Sequence, residues 1–244
     1  MVAVYWRPEA VIDETPNTAA RCGRRKAVRY IEYIRTPVSV EYLFGAVPMI
    51  QLDPWIAKAV ILAATVSTIA IRAPHGRRSR TISVVKSWKN AREVVLLTFA
   101  WIGFLVPLIW VVSPAFSFAE YPLSLGPFIG GVVCLVAGLW WFYRSHADLG
   151  AYWSVTLEMR ENHQLVTHGI YQSVRHPMYS ALFVYAIGQA LVLPNWVAGP
   201  AYLLVIAILF SLRVRPEEKM MLETFGNEYA AYMKKTKRLV PRVW

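Results

Sequence analysis

The chain has 244 residues, of which 56% are hydrophobic and only 17% are charged, with a mean hydropathy of +0.37. Soluble domains carry about 25% charged residues, so this composition excludes an ordinary soluble domain and a disordered chain. The net charge of +11 would suggest nucleic-acid binding in a soluble protein. Beside long apolar runs, it is typical of basic loops that face anionic lipid headgroups. We therefore predict a membrane protein that binds no nucleic acid.

Residues 1–50 are predicted to be a basic N-terminal arm or interfacial segment. Charged residues and prolines interrupt the first twenty positions, so no cleaved leader is visible. The basic residues that follow alternate with tyrosine and isoleucine, which fits either a short amphipathic helix at the membrane surface or a solvated arm. An apolar stretch at residues 43–51 leaves a sixth span or an interfacial segment open.

Five apolar segments approach the length of about 20 residues that crosses a bilayer as a helix. Pro107 is expected to kink the second segment, and Gly131 and Gly138 permit close packing of the third. Only residues 194–195 join the last two, so these must form an antiparallel hairpin. The fold class predicted is all-α, a polytopic transmembrane bundle of about five spans, at residues 55–71, 94–112, 127–143, 179–193 and 196–212.

Loop charge orients these spans. Residues 72–92 contain seven lysines and arginines and no acid, whereas residues 112–125 contain neither lysine nor arginine. By the positive-inside tendency the first loop is cytoplasmic, and residues 144–178 and the tail after the last span then lie on the same side. Five spans place the N-terminal arm outside, against its own basic charge, so the N-terminal topology stays open.

Polar chemistry is concentrated in residues 144–244, whereas residues 51–143 are mainly three spans and a basic loop. In the first polar stretch, Gly169 can supply a positive φ and Pro177 suits the first position of a helix. A histidine beside a span is usually a structural interface residue, but here the density favours a site. Five polar side chains suited to a site fall within seventeen residues: His163, His168, Arg175, His176 and Tyr179.

A second polar stretch follows the last span. Pro216 is predicted to end that span near Arg215 and to begin another helix. Glu217 and Glu218 then lie in a first helical turn, where negative charge is favoured. Because the hairpin returns to the same surface, this acidic pair should lie beside His176. The two stretches could enclose a cytoplasmic pocket with an apolar floor and a charged rim, as a polar cofactor and a lipid-like substrate require.

The motifs of familiar soluble enzymes are absent from the sequence. It contains no glycine-rich phosphate loop, HExxH, paired CxxC or GxSxG string. Cys22 and Cys134 lie too far apart in sequence to indicate a disulfide framework. His146 and Asp148 are too few for a metal site, so no metal is predicted.

Three strings in a fixed order carry a resemblance to a known family. They are HQLVTHGIY at residues 163–171, RHPMY at residues 175–179, and residues 213–232, in which Glu217–Glu218 precede FGNEYAAY. Over about residues 140–244 the chain resembles the isoprenylcysteine carboxyl methyltransferase family. The resemblance implies an integral membrane enzyme that binds S-adenosylmethionine in a cytoplasmic pocket, with a tunnel from the bilayer for a lipidated acceptor.

The resemblance also assigns residues. Arg213 and Glu217 would contact the acceptor. An acceptor carboxylate is ionised at neutral pH and needs a cation rather than a base, so Arg213 or Arg175 could hold it with a bidentate fork. An amine or thiol acceptor would need a base, for which His163 or His176 would serve. The cofactor site would be lined by His163, Gln164, Leu165, Val166, Gly169, Tyr171, His176, Pro177, Tyr179 and Glu218.

Other functions remain open from the sequence. A similar C-terminal end occurs in phospholipid methyltransferases and, more faintly, in membrane sterol reductases that use NADPH, and a small-thiol acceptor is also compatible. A non-catalytic protein whose basic arm binds anionic headgroups is a further alternative. The expected partners are a lipid-like or prenylated acceptor and membrane lipids. The sequence identifies neither the acceptor nor the oligomeric state.

Overall fold

The structure is a computed structural model that describes residues 52–79, 83–87, 90–150, 153, 158–160 and 164–243. The predicted N-terminal arm and His163 lie outside these residues. The elements are α1 (Pro54–Ser79), β1 (Val84–Ser87), α2 (Ala91–Val112), α3 (Leu125–Leu149), β2 (Glu158–Arg160), α4 (Pro177–Val192), α5 (Ala198–Phe225) and α6 (Asn227–Lys235), with 3₁₀ turns at Ser117–Ala119 and Gly169–Gln172.

The predicted helical membrane bundle is confirmed. Helices α1, α2, α3 and α5 are each long and apolar enough to cross a bilayer. The fourth predicted span corresponds to α4, an apolar helix of 16 residues. The small exception to an all-α fold is the antiparallel pair of β1 and β2, in which Val84 lies opposite Arg160.

Helix α1 continues beyond the end predicted for the first span. Apolar length placed that end at Ile71, but the helix runs to Ser79. Polar residues can extend a membrane helix once its backbone reaches the headgroup level, because helical hydrogen bonds remain favourable there. The Ser79 hydroxyl also donates a hydrogen bond to the Trp153 carbonyl. Arg72 therefore lies on a helix and not in the predicted loop.

The helix break predicted at Pro216 is wrong. Helix α5 runs without interruption through this proline. Proline has no N–H, so the carbonyl of Leu212, four residues earlier, loses its helical partner. A guanidinium N–H of Arg92, on α2, donates to that carbonyl at 3.2 Å. The freed acceptor is thus satisfied from a neighbouring helix, and the residues before and after the proline share one helix.

Helices α3 and α4 pack closely, as the glycines of the third span predict. A Cβ atom at Gly138 would lie 2.7 Å from the backbone nitrogen of Tyr185, so only glycine allows this approach. The core between the helices is apolar. Ile61, Trp110 and Ile206 are each 1% exposed.

Backbone contacts define two ends of the bundle. At one end, the Tyr121 N–H donates to the Pro194 carbonyl at 3.1 Å, so the loop after α2 meets the turn between α4 and α5. At the other end, the N–H groups of Arg175 and His176 donate to the carbonyls of Lys237 and Arg238 at 2.7 and 3.0 Å. Helix α4 separates these ends by about 24 Å at 1.5 Å per residue. The two polar stretches therefore meet at the second end.

Candidate functional site

A cavity of about 260 Å³ lies at this second end of the bundle. Its apolar wall includes Leu97, Trp101 and Phe104 of α2. Its polar wall includes His176 and Glu217. The cavity is close in size to the smallest pockets that hold small organic molecules, about 300 Å³. It offers contacts for both a hydrocarbon chain and a charged group.

On one face of α5, the residues that line the cavity follow one another along the helix axis. The residues that this face presents to the cavity are spaced by three or four positions, as one helical face requires. They include the apolar Ile206 and Leu209, then the charged Arg213 and Glu217, and finally Met220. Leu209 and Glu217 are separated by about 12 Å along the axis. The apolar part of the cavity therefore lies deeper in the bundle than the charged part.

Glu218 is the centre of an ionic cluster beside the cavity. Its side chain is 6% exposed and accepts hydrogen bonds from Arg175 Nη2 at 2.9 Å and Arg238 Nη2 at 2.7 Å. His176 Nε2 lies 3.4 Å from the same carboxylate. Arg175 and His176 themselves line the cavity, whereas Glu218 does not. Glu218 therefore holds two side chains of the cavity wall in place.

His176 also faces the adjacent carboxylate. Its Nδ1 lies 3.6 Å from Glu217 Oε1, and the Tyr179 hydroxyl donates to Glu217 Oε2 at 3.3 Å. Burial lowers the pKa of His176, but the hydrogen bonds to Glu217 and Glu218 outweigh burial, so the pKa lies above the ordinary 6.5. The two carboxylates therefore favour the protonated imidazole at this end of the cavity.

Arg213 is held by a partner that was not predicted from the sequence. Its Nη2 lies 3.0 Å from Oε1 of Glu93, and both side chains are at least 90% buried. Glu93 lies in the first turn of α2, where Asn90 caps the helix through the Glu93 N–H at 2.9 Å. An acidic residue at the edge of an apolar span was the available signal, since ionisable residues there usually have a partner.

Helix α1 contributes a further arginine. Arg72 lines the cavity, and its guanidinium lies 5.0 Å from the ring centroid of Trp153. Trp153 also lines the cavity and is 4% exposed. Neither residue was among the predicted site residues, because the predicted loop boundary separated Arg72 from the span.

Most of the predicted site residues meet in this cavity. Gln164 is exposed and does not line it. Gly169 has the expected positive φ of 59°, but its close neighbour is Asp148, which accepts the Ile170 N–H at 2.8 Å. The predicted residues on the cavity wall are Leu165, Val166, Tyr171, Arg175, His176, Pro177, Tyr179, Arg213 and Glu217.

The C-terminal tail, residues 236–240, supports the site from outside. Arg175 Nη1 donates to the carbonyl oxygens of Met233 and Thr236. The Ser180 hydroxyl donates to the Leu239 carbonyl at 2.7 Å. These bonds use backbone carbonyls, which every residue has, so side-chain patterns could not have indicated this support.

Comparisons with known proteins agree with the resemblance found in the motifs. The model of the isoprenylcysteine carboxyl methyltransferase family matches residues 128–223. A probable protein-S-isoprenylcysteine O-methyltransferase of Oryza sativa subsp. indica is 28% identical over 197 residues, covering 78% of this chain and 97% of that protein. The Schizosaccharomyces pombe protein-S-isoprenylcysteine O-methyltransferase is 37% identical over 89 residues, covering 36% of this chain and 38% of that protein.

Among solved structures, a eukaryotic intramembrane Ras methyltransferase, an isoprenylcysteine carboxyl methyltransferase, has a TM-score of 0.42 and 24% identity. The match covers 64% of this chain and 55% of that chain. The family match and the relatives together confirm the resemblance. The chain is therefore a relative of the isoprenylcysteine carboxyl methyltransferases, as the order of its C-terminal motifs predicts.

Proposed function

We propose that this chain is an integral membrane methyltransferase that transfers a methyl group from S-adenosylmethionine to the carboxylate of an isoprenylcysteine or a similar lipid-linked acceptor. The observation that carries the proposal is a cavity in which the apolar wall of α2 meets the buried Arg213 and the half-buried Glu217. The names of the relatives point to the same reaction, since they are O-methyltransferases of isoprenylcysteine. We place the charged end at the cytoplasmic face, where the basic residues concentrate.

The residues of the charged end fit S-adenosylmethionine. When bound, this donor would supply a methyl group on a sulfonium sulfur: a carboxylate oxygen forms the new C–O bond as the C–S bond breaks, and the sulfur keeps the electron pair. An aromatic ring such as that of Tyr171, on the cavity wall, suits a sulfonium cation. Arg175 and His176 line the cavity, and positive charge there suits the donor's carboxylate. Glu217 can accept hydrogen bonds from its ammonium or hydroxyl groups.

The chain's own task is to hold two reactants and exclude water. An ionised carboxylate needs no general base, so orientation supplies most of the rate enhancement. Arg213 would hold the acceptor carboxylate with its fork of N–H groups. Glu93 fixes the guanidinium from the other side through the 3.0 Å contact. The apolar wall would take the prenyl chain and keep water from the reacting atoms.

Alanine substitution of Arg213 tests the proposed reaction. Removing a charged group that holds the reacting carboxylate should lower kcat/KM for methyl transfer to N-acetyl-S-farnesylcysteine by about a hundredfold or more. The dissociation constant of S-adenosylmethionine should change little, because the donor is assigned to other residues. Both are measured on protein purified in detergent, by transfer of labelled methyl groups and by titration calorimetry.

Arg215→Ala is the matched control, since Arg215 lies on the same helix and is exposed. It should leave transfer unchanged. Stabilisation of the wild-type protein by NADPH and not by S-adenosylmethionine would replace the proposal with a reductase. Full transfer by the Arg213→Ala variant would remove this residue from the reaction.

A further inference from the structure

Three arginines line the cavity, and two of them already hold a carboxylate of the chain. Arg175 contacts Glu218 at 2.9 Å and Arg213 contacts Glu93 at 3.0 Å. Arg72 differs from both. Its guanidinium lies 5.0 Å from the ring centroid of Trp153. Among the residues that the structure describes, no carboxylate lies at ion-pair distance from it.

Such a position is costly for an arginine. Arg72 is half-buried, and a cation withdrawn from water without an anion carries a desolvation penalty, of which an aromatic face recovers only part. Arg213, which carries the same charge, lines the same cavity. An anion that enters the cavity and contacts Arg72 would offset this penalty. The cavity wall at Arg72 is therefore suited to a negatively charged group.

The position of Arg72 on α1 indicates which ligand group it would meet. Thr68 and Ile69, one turn earlier on the same helix, also line the cavity. Arg72 thus lies where the apolar wall gives way to the charged end. A lipid-linked acid whose hydrocarbon chain fills the apolar part would bring its carboxylate to this boundary.

We propose that Arg72 is a second binding group for the carboxylate of the acceptor and makes the site select anionic over neutral acceptors with the same hydrocarbon chain. This inference rests on the proposed methyltransferase function. Arg72 lies outside residues 128–223, so the role comes from a part of the chain that the family model does not match. Arg72 and Arg213 would bind the carboxylate oxygens together with charge-assisted hydrogen bonds.

The test compares a charged and a neutral ligand of the same shape. In Arg72→Gln, KM for N-acetyl-S-farnesylcysteine should rise about tenfold or more, because a hydrogen bond to a charged group is lost. The dissociation constant of S-adenosylmethionine should stay within about twofold. The carboxamide of the same compound, used as a competitive inhibitor, should keep its inhibition constant, because it offers no charge to Arg72.

Two further variants complete the test. Arg72→Lys keeps the charge but loses the planar fork, so its KM should lie between those of wild type and Arg72→Gln. Arg77→Gln alters an exposed arginine on the same helix, and its KM for N-acetyl-S-farnesylcysteine should equal that of the wild type.

Failure of this inference differs from failure of the proposed function. A wild-type protein without methyl transfer would refute the function itself. Normal wild-type transfer with an unchanged KM in Arg72→Gln would overturn only the role of Arg72, and so would an equal loss of affinity for the acid and the carboxamide. If Arg72→Gln does not fold, Arg72→Lys decides: a wild-type KM overturns the role.

Discussion

Protonation of His176 links the charged end of the cavity to pH. The imidazole lies between Glu217 and Glu218, at 3.6 and 3.4 Å, and these carboxylates raise its pKa despite burial. A group with a raised pKa in the folded state stabilises the fold fully below its unfolded pKa, and this contribution disappears as the pH rises through the folded pKa. The relevant range therefore begins at about 6.5 and extends upward.

Replacement of His176 by asparagine should reveal this contribution. The difference in thermal unfolding temperature between wild type and His176→Asn should be largest near pH 6 and should shrink as the pH rises toward 9, because the wild type loses its proton. This difference is measured by thermal unfolding of both proteins in detergent at a series of pH values. His168→Asn, at an exposed position, is the control for the loss of an imidazole as such. A difference that stays constant with pH would contradict a protonated His176.

At the scale of the secondary-structure elements, α5 depends on a contact from another helix. Pro216 removes one helical hydrogen bond, and Arg92 satisfies the Leu212 carbonyl that this leaves. The contact joins positions 120 residues apart in sequence. A proline rule that considers only neighbouring residues could not anticipate it, which explains why a helix end was predicted there.

A double-mutant cycle tests this explanation. Arg92→Ala should lower the free energy of unfolding by about 1 kcal/mol, the usual net contribution of a hydrogen bond. In a Pro216→Ala background the cost should be close to zero, because an alanine N–H can serve the Leu212 carbonyl itself. The free energy of unfolding of the four proteins is measured in mixed micelles. Equal costs in both backgrounds would show that Arg92 does not serve the freed carbonyl.

The sequence predicted the helices better than it predicted their ends. Apolar length identifies a span because the thickness of the bilayer sets it, and all five predicted segments are helical. The end of α1 was missed, because helical hydrogen bonds do not stop where the apolar residues stop. Arg72 was consequently assigned to a loop, although it lies on the cavity wall.

At the scale of the whole molecule, the site combines segments that the sequence could relate and segments that it could not. The order of the motifs predicted that His176 and Tyr179 lie near Glu217, since a hairpin must return to its starting surface. Glu93 was missed because it lies on a helix outside the two polar stretches, and Arg238 because no motif in the tail marks it as an ion-pair partner of Glu218. Pairing between distant elements depends on three-dimensional packing, which periodicity and spacing do not encode.

The orientation of the molecule in its membrane can be tested with single cysteines. In a background without Cys22 and Cys134, Lys219→Cys places a thiol at the end of the bundle with the cavity, and Ser117→Cys places one at the other end. Both positions are exposed. A membrane-impermeant maleimide should label Lys219→Cys only in inside-out vesicles and Ser117→Cys only in right-side-out vesicles. The reverse pattern would place the charged end on the outer side.

The two walls of the cavity come from different parts of the chain. Residues 128–223, which match the family model, supply the α4 and α5 side, whereas Arg72, Leu97, Trp101 and Phe104 on α1 and α2 lie outside that match. Under the proposed function, substitutions in the first two helices would change which acceptor binds and leave the α4 and α5 side of the cavity intact. Chimeras exchanged between α2 and α3 would separate these two properties.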